Sequence, residues 1–188
     1  MVNSVTVFCG AKPDLADTYL RTAGALGRAL AGAGLRLVYG GATVGLMGPL
    51  ADEALDAGGT VVGVIPENLN AHEGAAHQGL SELHVVADMH QRKALMAELG
   101  DAFVALPGGL GTVEEFFEAL TWSHLGLHDK PCVLLDGDGF YRQLLGFLDD
   151  AVREGFVTPA TARRLVVCRR TDEVLAALGH PVVKSVCA

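Results

Sequence analysis

The sequence predicts an α/β fold: a Rossmann-like parallel sheet with helices on both faces, in a single domain. Three observations carry this. Short β-rich runs alternate with helical patterns of roughly 10–15 residues, the rhythm of right-handed βαβ units. The runs Val61–Ile65, Ala102–Leu106 and Cys132–Leu135 are nearly continuous in apolar residues, as strands covered on both sides must be. Half of the 188 residues are hydrophobic and 19% are charged, which suits a large core and is too little charge for a disordered chain. No linker-like segment divides the chain, so residues 1–180 are expected to form one domain, with 181–188 a loosely held tail.

Taken in order, Ser4–Phe8 reads as the first strand. Asp14–Ala33 reads as a helix, with Leu15, Tyr19, Ala23, Leu26 and Leu30 at helical spacing, Asp14 at its start and Gly32 and Gly34 as its stop. Leu35–Tyr39 is the second strand and runs into Gly40-Gly41. Leu46–Ala57 is a helix closed by Gly58-Gly59, and Thr60–Ile65 a strand closed by Pro66. Glu67–Glu82 has no clear period, carries His72 and His77, and reads as a loop over a site. Leu83–Val86 is a short strand, Met89–Leu99 a helix, and Ala102–Leu106 a strand that enters Pro107-Gly108-Gly109. Thr112–Ser123 is a helix, Pro131–Leu135 a strand, Phe140–Glu154 a helix, Leu165–Cys168 a strand and Asp172–Leu178 the last helix.

Charge excludes some partners. The net charge is −8 and the pI about 5.2, whereas a nucleic-acid binder would show a basic surface. Any phosphate must therefore be recognised locally. No run of 18 apolar residues is present, so no membrane helix is expected. Met1–Gly10 reads as a strand and not as a secretory leader. Cys9, Cys132, Cys168 and Cys187 form no C-x-x-C pair and are expected to be reduced thiols of a cytoplasmic protein.

The glycines cluster where strands end, the edge at which open α/β sheets bind ligands. Leu106-Pro-Gly-Gly-Leu-Gly-Thr-Val-Glu-Glu115 joins a buried strand to a helix. Gly108, Gly109 and Gly111 let a ligand approach the backbone. Thr112 and Glu115 have the spacing of a capping box, and the helix start offers free N–H groups to a phosphate. Two further glycine turns, Cys9-Gly-Ala11 and Tyr39-Gly-Gly-Ala-Thr-Val-Gly-Leu-Met-Gly48, also follow strands. Together they point to a ligand of nucleotide size. No P-loop, dinucleotide fingerprint or serine elbow is present. Asp88-Met-His-Gln-Arg-Lys93 opens a helix with two adjacent cations, of which the arginine suits a phosphate or sugar clamp. His124 and His128 have a metal-ligand spacing, but no third ligand lies nearby in sequence, and no metal is expected.

These stretches resemble a known family. Pro107-Gly-Gly-Leu-Gly-Thr-Val-Glu-Glu115 is similar to the PGGxGTxxE motif of the LOG (Lonely Guy) family, and Asp88–Lys93 to its second signature. The resemblance runs from Val5 to about Leu178 and includes Thr121-Trp122 and His128-Asp-Lys-Pro131. It implies a Rossmann-like homodimer that hydrolyses cytokinin riboside 5′-monophosphates without a cofactor. It also makes residues 1–180 a nucleotide-binding catalytic domain. Arg92 and Glu115 would be the catalytic pair. Lys93, Gly108, Gly109, Gly111, Thr112 and Thr121 would bind substrate, with Glu73 as an acidic residue over the site. The loop Asn70–Leu80 departs from the family pattern.

Under this reading Glu115 stabilises an oxocarbenium-like sugar and positions or deprotonates a water. Arg92 either orients the ribose phosphate and Glu115 or stabilises charge on the departing base. The substrate is a small nucleotide of the isopentenyl-AMP or AMP type, with no nucleic acid or membrane partner. The alternatives are a broader purine 5′-nucleotide nucleosidase and a non-catalytic nucleotide carrier. A pyridoxal-phosphate decarboxylase with Lys93 as its Schiff-base lysine has the least support.

Overall fold

The computed structural model describes residues 1–72 and 76–180. Glu73 of the expected site, and the 181–188 tail with Cys187, lie outside the described residues.

The strands are β1 (Ser4–Phe8), β2 (Arg36–Tyr39), β3 (Val61–Pro66), β4 (Glu82–Val86), β5 (Ala102–Ala105), β6 (Cys132–Leu135) and β7 (Leu165–Cys168). They form one parallel sheet in the order β4-β3-β2-β1-β5-β6-β7. The helices are α1 (Asp17–Gly32), α2 (Met47–Asp56), α3 (Glu67–His72), α4 (Met89–Leu99), α5 (Leu110–His124), α6 (Arg142–Arg153), α7 (Pro159–Ala162) and α8 (Thr171–Ala177). The predicted Rossmann-like architecture is the one observed.

Alternation along the strands divides the core between the two faces. Val5, Val7, Leu37 and Val104 turn one way and pack on Leu26 and Leu30 of α1 and Leu50 of α2. Phe8, Val38, Val62 and Phe103 turn the other way, onto Met96 of α4 and Phe116 and Leu120 of α5. Both faces are therefore apolar, and this is why β1, β3, β5 and β6 are buried along their whole length.

Strand order reverses between β1 and β5, which pair from Val5–Ala102 to Phe8–Ala105. Chains leaving these two strands at their carboxyl ends diverge to opposite faces and leave a crevice, the usual ligand site of such sheets. Cys9-Gly10 emerges from β1 there, and Leu106-Pro107-Gly108 from β5. Tyr141 pins the second turn by donating its hydroxyl to Leu106 O at 2.6 Å.

Three local expectations are corrected, and one unpredicted turn is added. The first helix begins at Asp17, because Asp14 takes a left-handed backbone at φ 58° that no helix admits. Glu67–His72 is a short helix and not loop; six residues are too few to show a period. Pro159–Ala162 is a further single turn, capped by Thr158. Finally, α5 begins at Leu110 with Gly109 as its N-cap and no side-chain cap. Thr112 is thus inside the helix and 4% exposed, so the predicted capping box does not form.

Candidate active site at the sheet switch point

The glycine turns interlock. Gly10 N donates to Pro107 O at 3.0 Å, and Leu46 N donates to Gly10 O at 2.9 Å. The turns after β1, β2 and β5 therefore form one unit. Gly108 sits at its tightest point: a Cβ there would lie 2.1 Å from Thr112 Oγ1 and 2.9 Å from Gly10 N. Buried Thr112 occupies the space that any side chain at 108 would need. The first turn of α5 consequently presents unpaired backbone N–H groups beside a Cβ-free approach, with the positive end of the helix dipole behind them.

Arg92 comes from the first turn of α4. Asp88 caps that helix, accepting from Gln91 N at 2.8 Å. The guanidinium is held by backbone: Arg92 Nε donates to Val64 O at 3.1 Å and Nη2 to Gly40 O at 3.4 Å. Gly40 is required for this, since a Cβ there would lie 2.1 Å from Arg92 Nη2 and 2.9 Å from Met47 Sδ. Arg92 Nη1 stands 3.7 Å from Glu115 Oε1, with the side chains 12% and 11% exposed. That is an ion pair longer than a hydrogen bond.

Burial pushes the Glu115 carboxyl above its ordinary value, and the attraction of Arg92 only partly offsets this. A carboxylate that binds its proton more tightly than usual is a better base than one in water. Cys9 lies on the same wall. Burial first, and then the charge of Glu115, push its thiol up to about 12, so it stays protonated and is no nucleophile.

These residues wall a cavity of about 320 Å³. Its polar lining includes Lys12, Arg92, Thr112 and Glu115 with the backbone of Gly109 and Gly111, and its apolar lining includes Met47, Ile65, Leu69, Met89 and Met96. Such a lining can take a ligand that carries both an anionic group and an apolar ring system.

Comparison with known proteins shows the family. A family described as "possible lysine decarboxylase" matches residues 47–178. A cytokinin riboside 5′-monophosphate phosphoribohydrolase of Rhodococcoides fascians is 65% identical over 178 residues, covering 95% of this chain and 90% of the relative. One of Arabidopsis thaliana is 47% identical over 171 residues, covering 91% and 79%. The chain belongs to the LOG family.

Among solved structures, the molybdenum cofactor carrier protein of Chlamydomonas reinhardtii aligns with a TM-score of 0.72 at 24% identity, covering 95% of this chain and 97% of that one. The molybdenum cofactor binding protein of Rippkaea orientalis has a TM-score of 0.72 at 21% identity, covering 95% and 96%. At such identities the likeness shows the shared fold alone.

The LOG-type site does not gather every expected residue onto the cavity wall. Arg92, Gly109, Gly111, Thr112 and Glu115 line it. Gly108 lines the adjoining pocket, with Tyr19 and Phe140. Lys93 points away and pairs with Glu114 Oε1 at 2.5 Å and Glu118 Oε2 at 3.1 Å. Thr121 is on a separate groove, beside His124 and Phe156. Gly40 and Lys12, neither of them singled out from the sequence, do line the cavity. The Tyr39-Gly40-Gly41 turn was the available signal for Gly40.

The decarboxylase description would call for pyridoxal phosphate on a lysine, and Lys93 does not fit. Desolvation works to lower its pKa, but the hydrogen bonds that its ammonium donates to Glu114 and Glu118 outweigh that and the net shift is upward. A Schiff-base lysine needs the opposite shift, towards the neutral amine. The two histidines at metal-ligand spacing face different partners. His128 accepts from Lys130 N at 3.1 Å through Nδ1 and has Nε2 on Ala119 O at 3.0 Å, whereas His124 Nδ1 meets Thr161 Oγ1 at 2.7 Å.

Proposed function

We propose that this protein hydrolyses the N-glycosidic bond of N6-substituted adenosine 5′-monophosphates, releasing the free cytokinin base and ribose 5-phosphate. The observation that carries the reading is the buried Arg92–Glu115 pair, which lines one cavity together with the N-terminus of α5. The naming of the 65% and 47% identical relatives as cytokinin riboside 5′-monophosphate phosphoribohydrolases supports the substrate.

The 5′-phosphate binds the backbone N–H groups at Gly109–Thr112, and the base lies against the methionine-rich wall. The bond from the anomeric carbon to the base nitrogen breaks, and its electron pair leaves with the base. Glu115 faces the oxocarbenium-like sugar, accepts a proton from the attacking water and stabilises the cation. The water oxygen bonds to the anomeric carbon, and the base takes up one proton as it leaves. Arg92, held by two carbonyls, keeps Glu115 oriented. The phosphate anchor contributes binding energy to a reaction several ångströms away.

The protein acts as a homodimer in the cytoplasm under this reading. Cys9, Cys132 and Cys168 are free thiols, which suits a reducing compartment. Leu83, Val85 and Met89 expose an apolar strip along β4 and the start of α4, which suits a subunit contact.

The test is turnover of isopentenyl-AMP, its unphosphorylated riboside and AMP, followed by chromatography. Base release from isopentenyl-AMP, at least about a hundredfold faster than from the riboside, is expected. Equal rates on both would remove the phosphate anchor from the account. Turnover of AMP alone would make the enzyme a general purine nucleotide nucleosidase.

A further inference from the structure

The cations that the motifs bring to the site are both engaged. Arg92 spends its guanidinium on Val64 O, Gly40 O and Glu115. Lys93 is neutralised by Glu114 and Glu118 and does not reach the cavity wall. A phosphate monoester at the start of α5 carries up to two negative charges. The helix end supplies about half a positive charge, and Glu115 opposes the ligand. The site as built from the motifs is short of positive charge.

Lys12 can make up the deficit. It lines the catalytic cavity together with Gly109, Gly111 and Thr112, and it also lines the pocket on the far side of Gly109. Among the described residues it has no carboxylate partner. Its backbone is fixed although its side chain is exposed. The preceding Gly10 is bonded on both sides, to Pro107 O and from Leu46 N. Ala11 packs so closely on Gly45 that a Cβ there would lie 2.9 Å from Ala11 Cα. A lysine with a rigid root and an exposed head, in no ion pair among the described residues, stands beside the helix terminus.

We infer that Lys12 binds the phosphate monoester of the substrate and sets the preference for nucleotide over nucleoside. This rests on the proposed hydrolase reading and adds a residue outside both sequence motifs. Lys12 is exposed to solvent. On binding it folds over the phosphate, opposite the N–H groups at Gly109–Thr112, and closes the charge balance of that end of the cavity. Arg92 is left to serve Glu115. The contact is a charge-assisted one, and its loss is expected to weaken phosphate-bearing ligands by about tenfold or more.

The test uses Lys12→Ala and Lys12→Arg. Binding of AMP, ribose 5-phosphate, inorganic phosphate and adenosine is measured by calorimetry, and kcat and KM are measured on isopentenyl-AMP. Expected for Lys12→Ala is about tenfold weaker AMP and ribose 5-phosphate, unchanged adenosine, and a rise in KM that exceeds any fall in kcat. Lys12→Arg should restore most of the affinity, and the wild-type preference for AMP should fall with added salt. Weakening of ribose 5-phosphate but not of inorganic phosphate would identify the ester as the ligand; equal weakening would show a general anion contact and still support the assignment. Wild-type affinity for AMP in Lys12→Ala, or equal weakening of AMP and adenosine, would overturn it. Absence of base release by the wild-type protein would instead sink the hydrolase reading, while the binding data would still judge Lys12.

Discussion

The α4–α5 helix pair carries two clusters of the same chemistry on its two sides. On the inner side Arg92 faces Glu115 at 3.7 Å, nearly buried and too far apart for a hydrogen bond. On the outer side Lys93 closes tightly on Glu114 and Glu118, whose side chains are 54% and 28% exposed. Arg92 and Lys93 are chain neighbours, and so are Glu115 and Glu114. The outer cluster is satisfied and fastens two helices together. The inner one is left open, with its carboxyl pushed up by burial and a cavity in front of it. A loosely paired carboxyl, beside a guanidinium held by backbone and open to a cavity, distinguishes a site from a strut.

If that contrast is right, the inner side should govern turnover and the outer side stability. The largest effect is expected for Glu115→Gln, which removes the base and should lower kcat by about a thousandfold. The same change should raise the melting temperature at neutral pH. The folded carboxyl has a raised pKa, so it stabilises the fold when protonated and loses that contribution as pH rises through the raised value. Removing the ionisable group removes the loss. A kcat near wild type would break the comparison at its root.

Arg92→Lys keeps the charge but cannot hold two carbonyls and a carboxylate from one planar fork, and about a hundredfold loss of kcat/KM is expected. Gly40→Ala tests the same seat from below. Its methyl would overlap Arg92 Nη2 and crowd Met47, so steady-state kinetics should show at least about a tenfold loss. Full activity of Gly40→Ala would mean that the guanidinium need not sit where it does.

The pH profile sharpens the contrast without mutation. Burial raises the Glu115 pKa above its ordinary 4.5, against the pull of Arg92. The acid limb of kcat/KM should therefore fall above the usual glutamate range, with activity lost as pH drops through it. Asp replacement of Glu114, on the outer side, should leave that limb in place.

The smallest effect is expected on the outer side. Lys93→Ala should cost about 1 kcal/mol of stability, as partly exposed ion pairs do, and change kcat by no more than a few-fold. A large rise in KM with unchanged stability would return Lys93 to the substrate site, the role that the family resemblance implies.

Much of this was legible in the sequence. The apolar runs mark the strands correctly, and Pro107–Glu115 and Asp88–Lys93 mark the two helix starts that meet at the cavity. What the motifs could not convey is direction. Neighbours on a helix project about 100° apart, so Arg92 and Lys93 leave α4 in different directions and only Arg92 lines the cavity. By the same geometry Thr121 follows Glu114 and Glu118 onto the outer side, at the spacing that shares a face. Strand order was equally hidden. Only the adjacency of β1 and β5 brings Gly10 against Gly108 and carries Lys12 to the cavity wall. The Thr112–Glu115 capping box failed because Gly109 already serves as the cap, which frees Thr112 to be buried against Gly108.

The most direct test is product analysis of isopentenyl-AMP incubated with the wild-type protein and with Glu115→Gln, with nucleotide binding measured on both. Equimolar isopentenyladenine and ribose 5-phosphate from the wild type, and retained binding without product in the variant, are the predicted results. Base release by Glu115→Gln at the wild-type rate would contradict the assignment of the chemistry to the inner side of the α4–α5 pair.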